Sequence, residues 1–116
     1  MALDWKSFSG IYIRPGYTDM RKAINGLALL VQDEMQFNVF EHNVFLFCGR
    51  RKRSLKVLYW DGNGFCLWQK RLEKDRYVWP KTEQQAQQLT TEDLDLLLQG
   101  LDFTARHKEL KYFSVS

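Results

Sequence analysis

The tetrapeptide Asp61-Gly62-Asn63-Gly64 lies between two runs that are too short for helices and rich in Val, Tyr, Trp and Phe, Leu55 to Trp60 and Phe65 to Leu72. Gly and Asn supply the backbone conformations that a tight β-hairpin demands, so this junction constrains the chain more than any other stretch. With Gly62-Asn63 as the two loop residues, Trp60 falls opposite Phe65 and Leu58 opposite Leu67. Two more apolar runs extend the pattern. Val44 to Cys48 is continuous, as in a strand buried on both faces, and Arg76 to Trp79 is short and ends at Pro80. These four runs predict an antiparallel meander. Ile11 to Arg14, before the Pro15-Gly16 turn signal, reads as a further brief strand.

Two helices are expected around the meander. Ile24, Leu27, Ala28, Val31 and Met35 recur at steps of three and four behind Thr18-Asp19, which predicts an amphipathic helix from Met20 to Gln36. The second runs from Thr90 to Gly100. Thr90 takes the N-cap, Asp93 the capping-box position, Leu89 and Leu94 a hydrophobic staple, and Gly100 the C-terminal cap. The polar stretch Lys81 to Gln88 reads as a loop. The fold class is therefore α+β, a four-stranded antiparallel meander packed against two amphipathic helices. At 116 residues the size prior allows one domain, assigned to 1–102, with 103–116 a tail of unknown order.

Charge is unevenly distributed. The net value is only +3, yet Arg50 to Arg76 holds nine basic residues against three acids, whereas Lys81 to Asp102 holds one base against five acids. Two surfaces of opposite sign are implied. Arg50-Arg51-Lys52-Arg53 falls on a loop between strands. Four adjacent cations there suit contact with a phosphate backbone; they also suit a solvated turn that guards a strand end. Lys56, Lys70, Arg71 and Arg76 are expected on the same meander, which favours nucleic acid. The interleaved rings Phe45, Phe47, Tyr59, Trp60, Phe65, Trp68, Tyr77 and Trp79 fit either a packed core or a platform for unpaired bases, and core is the simpler reading. Because the strands are apolar on both faces, one face is available to a partner.

Catalysis finds little support. His42 and His107 have no spaced partner, Asp19, Asp61, Glu73 and Asp75 sit at cap or turn positions, and no Gly-rich phosphate loop or nucleophile elbow occurs. No enzyme activity, metal or cofactor is expected. Cys48 and Cys66 lack nearby ligands and read as free thiols of a reducing cytoplasm. No run has the shape of a signal peptide or the length of a membrane span.

Gly16-Tyr17-Thr18-Asp19-Met20-Arg21-Lys22, Asn25-Gly26-Leu27, Phe45-Leu46-Phe47-Cys48-Gly49-Arg50-Arg51, Lys56 through Phe65, Lys70-Arg71-Leu72-Glu73 and Tyr77-Val78-Trp79-Pro80 occur in an order that resembles the TnpB-type protein (second reading frame, Orf2-like) of the sixty-six family of bacterial insertion sequences. The resemblance covers about positions 11–102. It departs at Ser54, where an acid or amide is expected, and after Phe103. It implies an accessory factor encoded beside the true transposase, with no catalytic site to carry over. DNA and that transposase are the implied partners. Two mechanisms follow. In one, Arg50 to Arg53 with Lys56, Lys70, Arg71 and Arg76 grip DNA phosphates while the acidic helix or an apolar face docks the transposase. In the other, the protein is an adaptor that never touches DNA.

Overall fold

The computed structural model describes residues 4–82 and 88–104. After a 3-10 turn at Trp5–Ser7, the elements are β1 (Gly10–Ile13), α1 (Ile24–Asp33), β2 (Asn43–Cys48), β3 (Ser54–Trp60), β4 (Phe65–Arg71), β5 (Gln88–Leu89) and α2 (Thr91–Leu98). They form one five-stranded mixed sheet in the order β4-β3-β2-β1-β5.

The expected hairpin is present in the expected register, with Trp60 opposite Phe65 and Leu58 opposite Leu67. Gly62 alone takes a positive φ in this turn, +72°, and the Asn63 amide donates to the Asp61 carbonyl at 2.7 Å. That closes a three-residue turn around a residue type for which the left-handed region carries no steric cost. The four-stranded antiparallel meander needs correction. β2, β3 and β4 do pair antiparallel, but Arg76 to Trp79 is not a strand. β4 is instead an edge of the sheet, and the fourth strand is β1, on the far side of β2, which runs parallel to β2 from Gly10↔Asn43 to Ile13↔Leu46. A parallel neighbour requires a long crossover, and residues 14–42 with α1 provide it. Gln88, assigned to a loop, pairs with Tyr12 in β5; residues 83–87 of that stretch lie outside the described residues.

α1 begins four residues later than its apolar period suggests. The Lys56 ammonium takes the Met20 and Lys22 carbonyls at 2.8 Å each, tying the preceding segment to β3, and Ala23 is extended, at φ −111° and ψ −157°. The first helical bond runs from the Leu27 amide to the Ala23 carbonyl at 2.9 Å. Thr18 and Asp19 therefore do not cap this helix, and Ala23, its N-cap, makes no side-chain cap. Gln36, at φ +61°, turns the chain out at the far end. α2 opens as expected. The Thr90 side chain accepts from the Asp93 amide, and the Asp93 carboxylate accepts from the Thr90 amide. It closes with Leu101 N donating to Leu96 O and Gly100 N to Leu97 O, both 2.9 Å, around Gly100 at φ +78°. This is the Schellman arrangement, which satisfies carbonyls that a helix end leaves open.

Side-chain alternation sends β2 residues to both faces, and every β2 residue is buried. Val44, Leu46 and Cys48 pack with Leu55, Val57, Leu94 and Leu97 on the α2 face. Phe45, Phe47 and Leu58 pack with Leu27 and Val31 on the α1 face. Each face thus carries its own helix, and β2 lies at the centre of three layers. Phe103, fully buried, joins the α2-side core. From residue 105 the expected tail, His107 included, lies outside the described residues.

Candidate nucleic-acid interface

Three chain segments meet at the end of the sheet where β2 turns into β3. The Thr18 amide donates to the Cys48 carbonyl at 2.8 Å, and the Gly16 amide to the Pro80 carbonyl at 2.8 Å. In the turn itself, Gly49 N donates to Ser54 O and Lys52 N to Gly49 O. The carbonyls of Lys52 and Arg53 accept from the amides of Tyr77 (2.7 Å) and Leu72 (2.8 Å). Gly49 allows the close approach: a Cβ there would fall 2.7 Å from Met20 Cγ. The backbone of the cationic turn is therefore held from two sides, and its side chains are directed outward. Arg50, Arg51 and Arg53 are exposed and Lys52 is half-buried.

Two clefts flank this turn. The larger, about 740 Å³, is lined by Arg50, Arg51, Arg53 and Arg71 together with Asp19 and Glu73. Both acids are already paired: Arg21 grips Asp19, closest at 2.7 Å, and Arg71 meets Glu73 at 3.0 Å. The side-chain hydrogen bonds from Arg21, reinforced by its backbone amide, hold the Asp19 carboxyl down at about 2. Among the described residues, Arg50, Arg51 and Arg53 are thus the cleft arginines that its own acids do not engage in ion pairs. The smaller cleft, about 470 Å³, has Pro15, Tyr17, Trp79 and Pro80 in its walls with Arg50 and Lys52 beside them.

Tyr17, Gly49 and Arg50 form the wall common to both clefts. The Arg50 guanidinium lies 5.7 Å from the centre of the Tyr17 ring, within cation–π range. Tyr17 is 62% exposed. Its carbonyl accepts from Arg14 Nη1 at 2.9 Å, and the same nitrogen reaches the buried Thr18 hydroxyl.

The remaining residues expected at the interface are dispersed. Lys56, expected on the phosphate surface, is 7% exposed, with its ammonium bound to two carbonyls on the α1 side. Lys70 and Arg71 are adjacent on a strand and so point to opposite faces. Arg71 lines the arginine cleft, whereas the Lys70 ammonium donates to the Leu98 carbonyl at the C-terminus of α2, 2.9 Å away. Arg76 is exposed but lines neither cleft. Tyr17 and Arg14 were not singled out by charge or aromatic pattern. Their segment stands out only through the motif resemblance, because the contacts that make it part of the site are long-range.

Most of the ring series belongs to the core, as the simpler reading held: Phe45, Phe47, Tyr77 and Trp79 are buried, and Tyr59, Trp68 and Phe65 are partly buried against them. Trp60 and Phe65 stand at the opposite end of the sheet, each packed against Phe40, which is 52% exposed. The His42 ring stacks on Phe8 at 4.5 Å. Burial pushes the Cys48 thiol up to about 12, so it stays protonated at neutral pH. Among the described residues no group of three or more His, Cys, Asp or Glu side chains is placed to hold a metal, and no helix is long and apolar enough to cross a membrane.

A three-layer α+β domain with an arginine-lined cleft at one sheet end is the class of protein that these elements define. The pattern of the IS66 Orf2-like proteins matches residues 9–108, and the chain belongs to that family, which makes it an insertion-sequence accessory protein. It is similar to the uncharacterized protein y4hO of Sinorhizobium fredii, 41% identical over 99 residues that cover 85% of this chain and 84% of the relative. It is also similar to the uncharacterized protein y4jC of the same organism, 34% identical over 86 residues and 74% of each chain. No solved structure matches it.

Proposed function

We propose that this accessory protein binds DNA phosphates through the cleft of Arg50, Arg51, Arg53 and Arg71, and so assists the separate transposase at its DNA substrate. The observation that carries this reading is the convergence of four arginines on one cleft whose two acids are already paired. Exposed ion pairs are worth little, so a phosphate can replace Glu73 on Arg71 at small cost. The guanidinium fork suits phosphate oxygens, and a turn tied down by backbone bonds loses little further freedom on binding. Lys56 and Lys70 take no part in this grip, since carbonyl oxygens hold both ammonium groups.

The test is a salt titration of binding to labelled duplex DNA. The logarithm of affinity should fall linearly with the logarithm of salt, by about 0.9 per phosphate contacted. Changing Arg50, Arg51 and Arg53 together to Ala should flatten that slope, while Lys70→Ala should leave it in place. No binding at low salt, or an unchanged slope in the triple variant, refutes the DNA role.

The rival adaptor reading draws on a different place. Phe40, Trp60 and Phe65 cluster at the hairpin end, roughly 20 Å from the arginine cleft along β3. Aromatic clusters of this kind are favoured anchors for protein partners. If association with the transposase survives nuclease treatment and is lost on Phe40→Ser, the adaptor reading gains.

A further inference from the structure

Deepening the DNA reading and resting on it, we infer that the protein recognises single-stranded DNA, with an unpaired base stacked on Tyr17 in the smaller cleft. Three features point there. The first is the exposed ring itself: among the described residues Tyr17 and Phe40 are the aromatics most open to solvent, and Tyr17 stands beside the cationic turn whereas Phe40 lies at the far end of the sheet. The second is the cleft behind it. At about 470 Å³, with half-buried Pro15 and the largely buried Trp79 and Pro80 in its walls, it has room for a nucleobase beside the Tyr17 ring. The third is charge. Arg50 borders both clefts and Lys52 borders the smaller, so a base entering beside Tyr17 brings its flanking phosphates toward cations on either side.

A paired base cannot enter, because its neighbours in the stack and its partner strand hold it inside the duplex; a single strand turns its bases outward freely. The Tyr17 backbone is already held by the Arg14 guanidinium through the Tyr17 carbonyl, which fixes the point from which the ring projects before DNA arrives. The larger cleft then continues the path of the strand past Arg51 and Arg53, a stacking platform followed by an electrostatic track.

The experiment compares a labelled oligothymidylate with a blunt mixed-sequence duplex at one low salt concentration, using the full chain and the variants Tyr17→Leu and Tyr17→Trp. The native protein should bind the single strand at least as tightly as the duplex. Tyr17→Leu should weaken the single strand by about tenfold to a hundredfold, the range expected for one lost base–aromatic stack, and weaken the duplex, through the lost Arg50 contact alone, by no more than about fivefold. Tyr17→Trp should keep the preference. Equal loss on both substrates, no loss on either, or a tenfold native preference for duplex overturns the stacking site while leaving phosphate binding intact. If neither DNA binds at low salt, the phosphate reading falls and this inference falls with it.

Discussion

The Lys56 ammonium donates to the Met20 carbonyl at 2.8 Å, joining the middle of β3 to the connection that precedes α1, and a second bond to the Lys22 carbonyl completes the clamp. A buried cation with two carbonyl partners and, among the described residues, no carboxylate in an ion pair with it is a structural device. Lys56→Met keeps the stem's bulk and strands both acceptors. It should lower the unfolding free energy by about 2 kcal/mol, the scale of a lost charged hydrogen bond, as read from urea titration. Arg51→Ala, at an exposed position, should change it by less than about 0.5 kcal/mol. Equal effects would mean that the clamp contributes nothing.

Tyr77 presents the opposite case. Its ring is buried and, among the described residues, its hydroxyl has no hydrogen-bond partner. Tyr77→Phe removes a desolvated group that gains nothing inside, so the variant should be more stable by about 1 kcal/mol in the same titration.

That residue also shapes the response to alkali. Burial pushes Cys48, Tyr59 and Tyr77 up to about 12 from ordinary values of 9 for the thiol and 10 for the phenols. The folded state keeps these protons at a pH where the unfolded chain releases them. Their contribution is complete below pH 9 and is lost as pH rises from 9 toward 12. Unfolding free energy measured across that window should fall, and fall less steeply in Tyr77→Phe between pH 10 and 12. An identical slope in both proteins would contradict the assignment.

Lys52 sits at φ +60°, a conformation costly for a residue with a Cβ. Lys52→Gly should stabilise the turn by up to about 1 kcal/mol, whereas Lys52→Val should destabilise it by at least as much. Thermal melting of the two variants checks the opposed signs.

The capping box of α2 closes the set. Thr90→Ala removes the acceptor for the Asp93 amide and should cost about 1 kcal/mol in chemical denaturation. Loss of helical circular dichroism at the onset of the transition would locate the damage.

Local chemistry was legible in the sequence, and partnership between distant segments was not. The hairpin register followed from Gly62-Asn63, and the ends of α2 from Thr90, Asp93 and Gly100, because turn and cap preferences act within a few residues. The stripe of Leu27 and Val31 marked α1 correctly; its start was not legible, since the segment before it is held by a lysine on β3 and stays extended at Ala23. β1 was visible as a short apolar run, but nothing in four residues announces a parallel neighbour 33 positions on. The site divides the same way. Arg50, Arg51 and Arg53 stood out by adjacency. Lys70 and Arg71 look equivalent in sequence, yet strand alternation separates them. Tyr17 joins the interface only through bonds that residues 14–22 make with Cys48 and Pro80.

β1 has four residues, one neighbour from the first half of the chain and the other from Gln88–Leu89 near its end. Synthesis from the N-terminus therefore leaves that strand with an open edge until residue 89 has emerged. A chain stopped before residue 88 would keep the whole hairpin meander and still expose the amides and carbonyls of Ile11 and Tyr12 to any extended peptide nearby. The smallest strand in the sheet thus decides whether β1 is a covered strand or an edge.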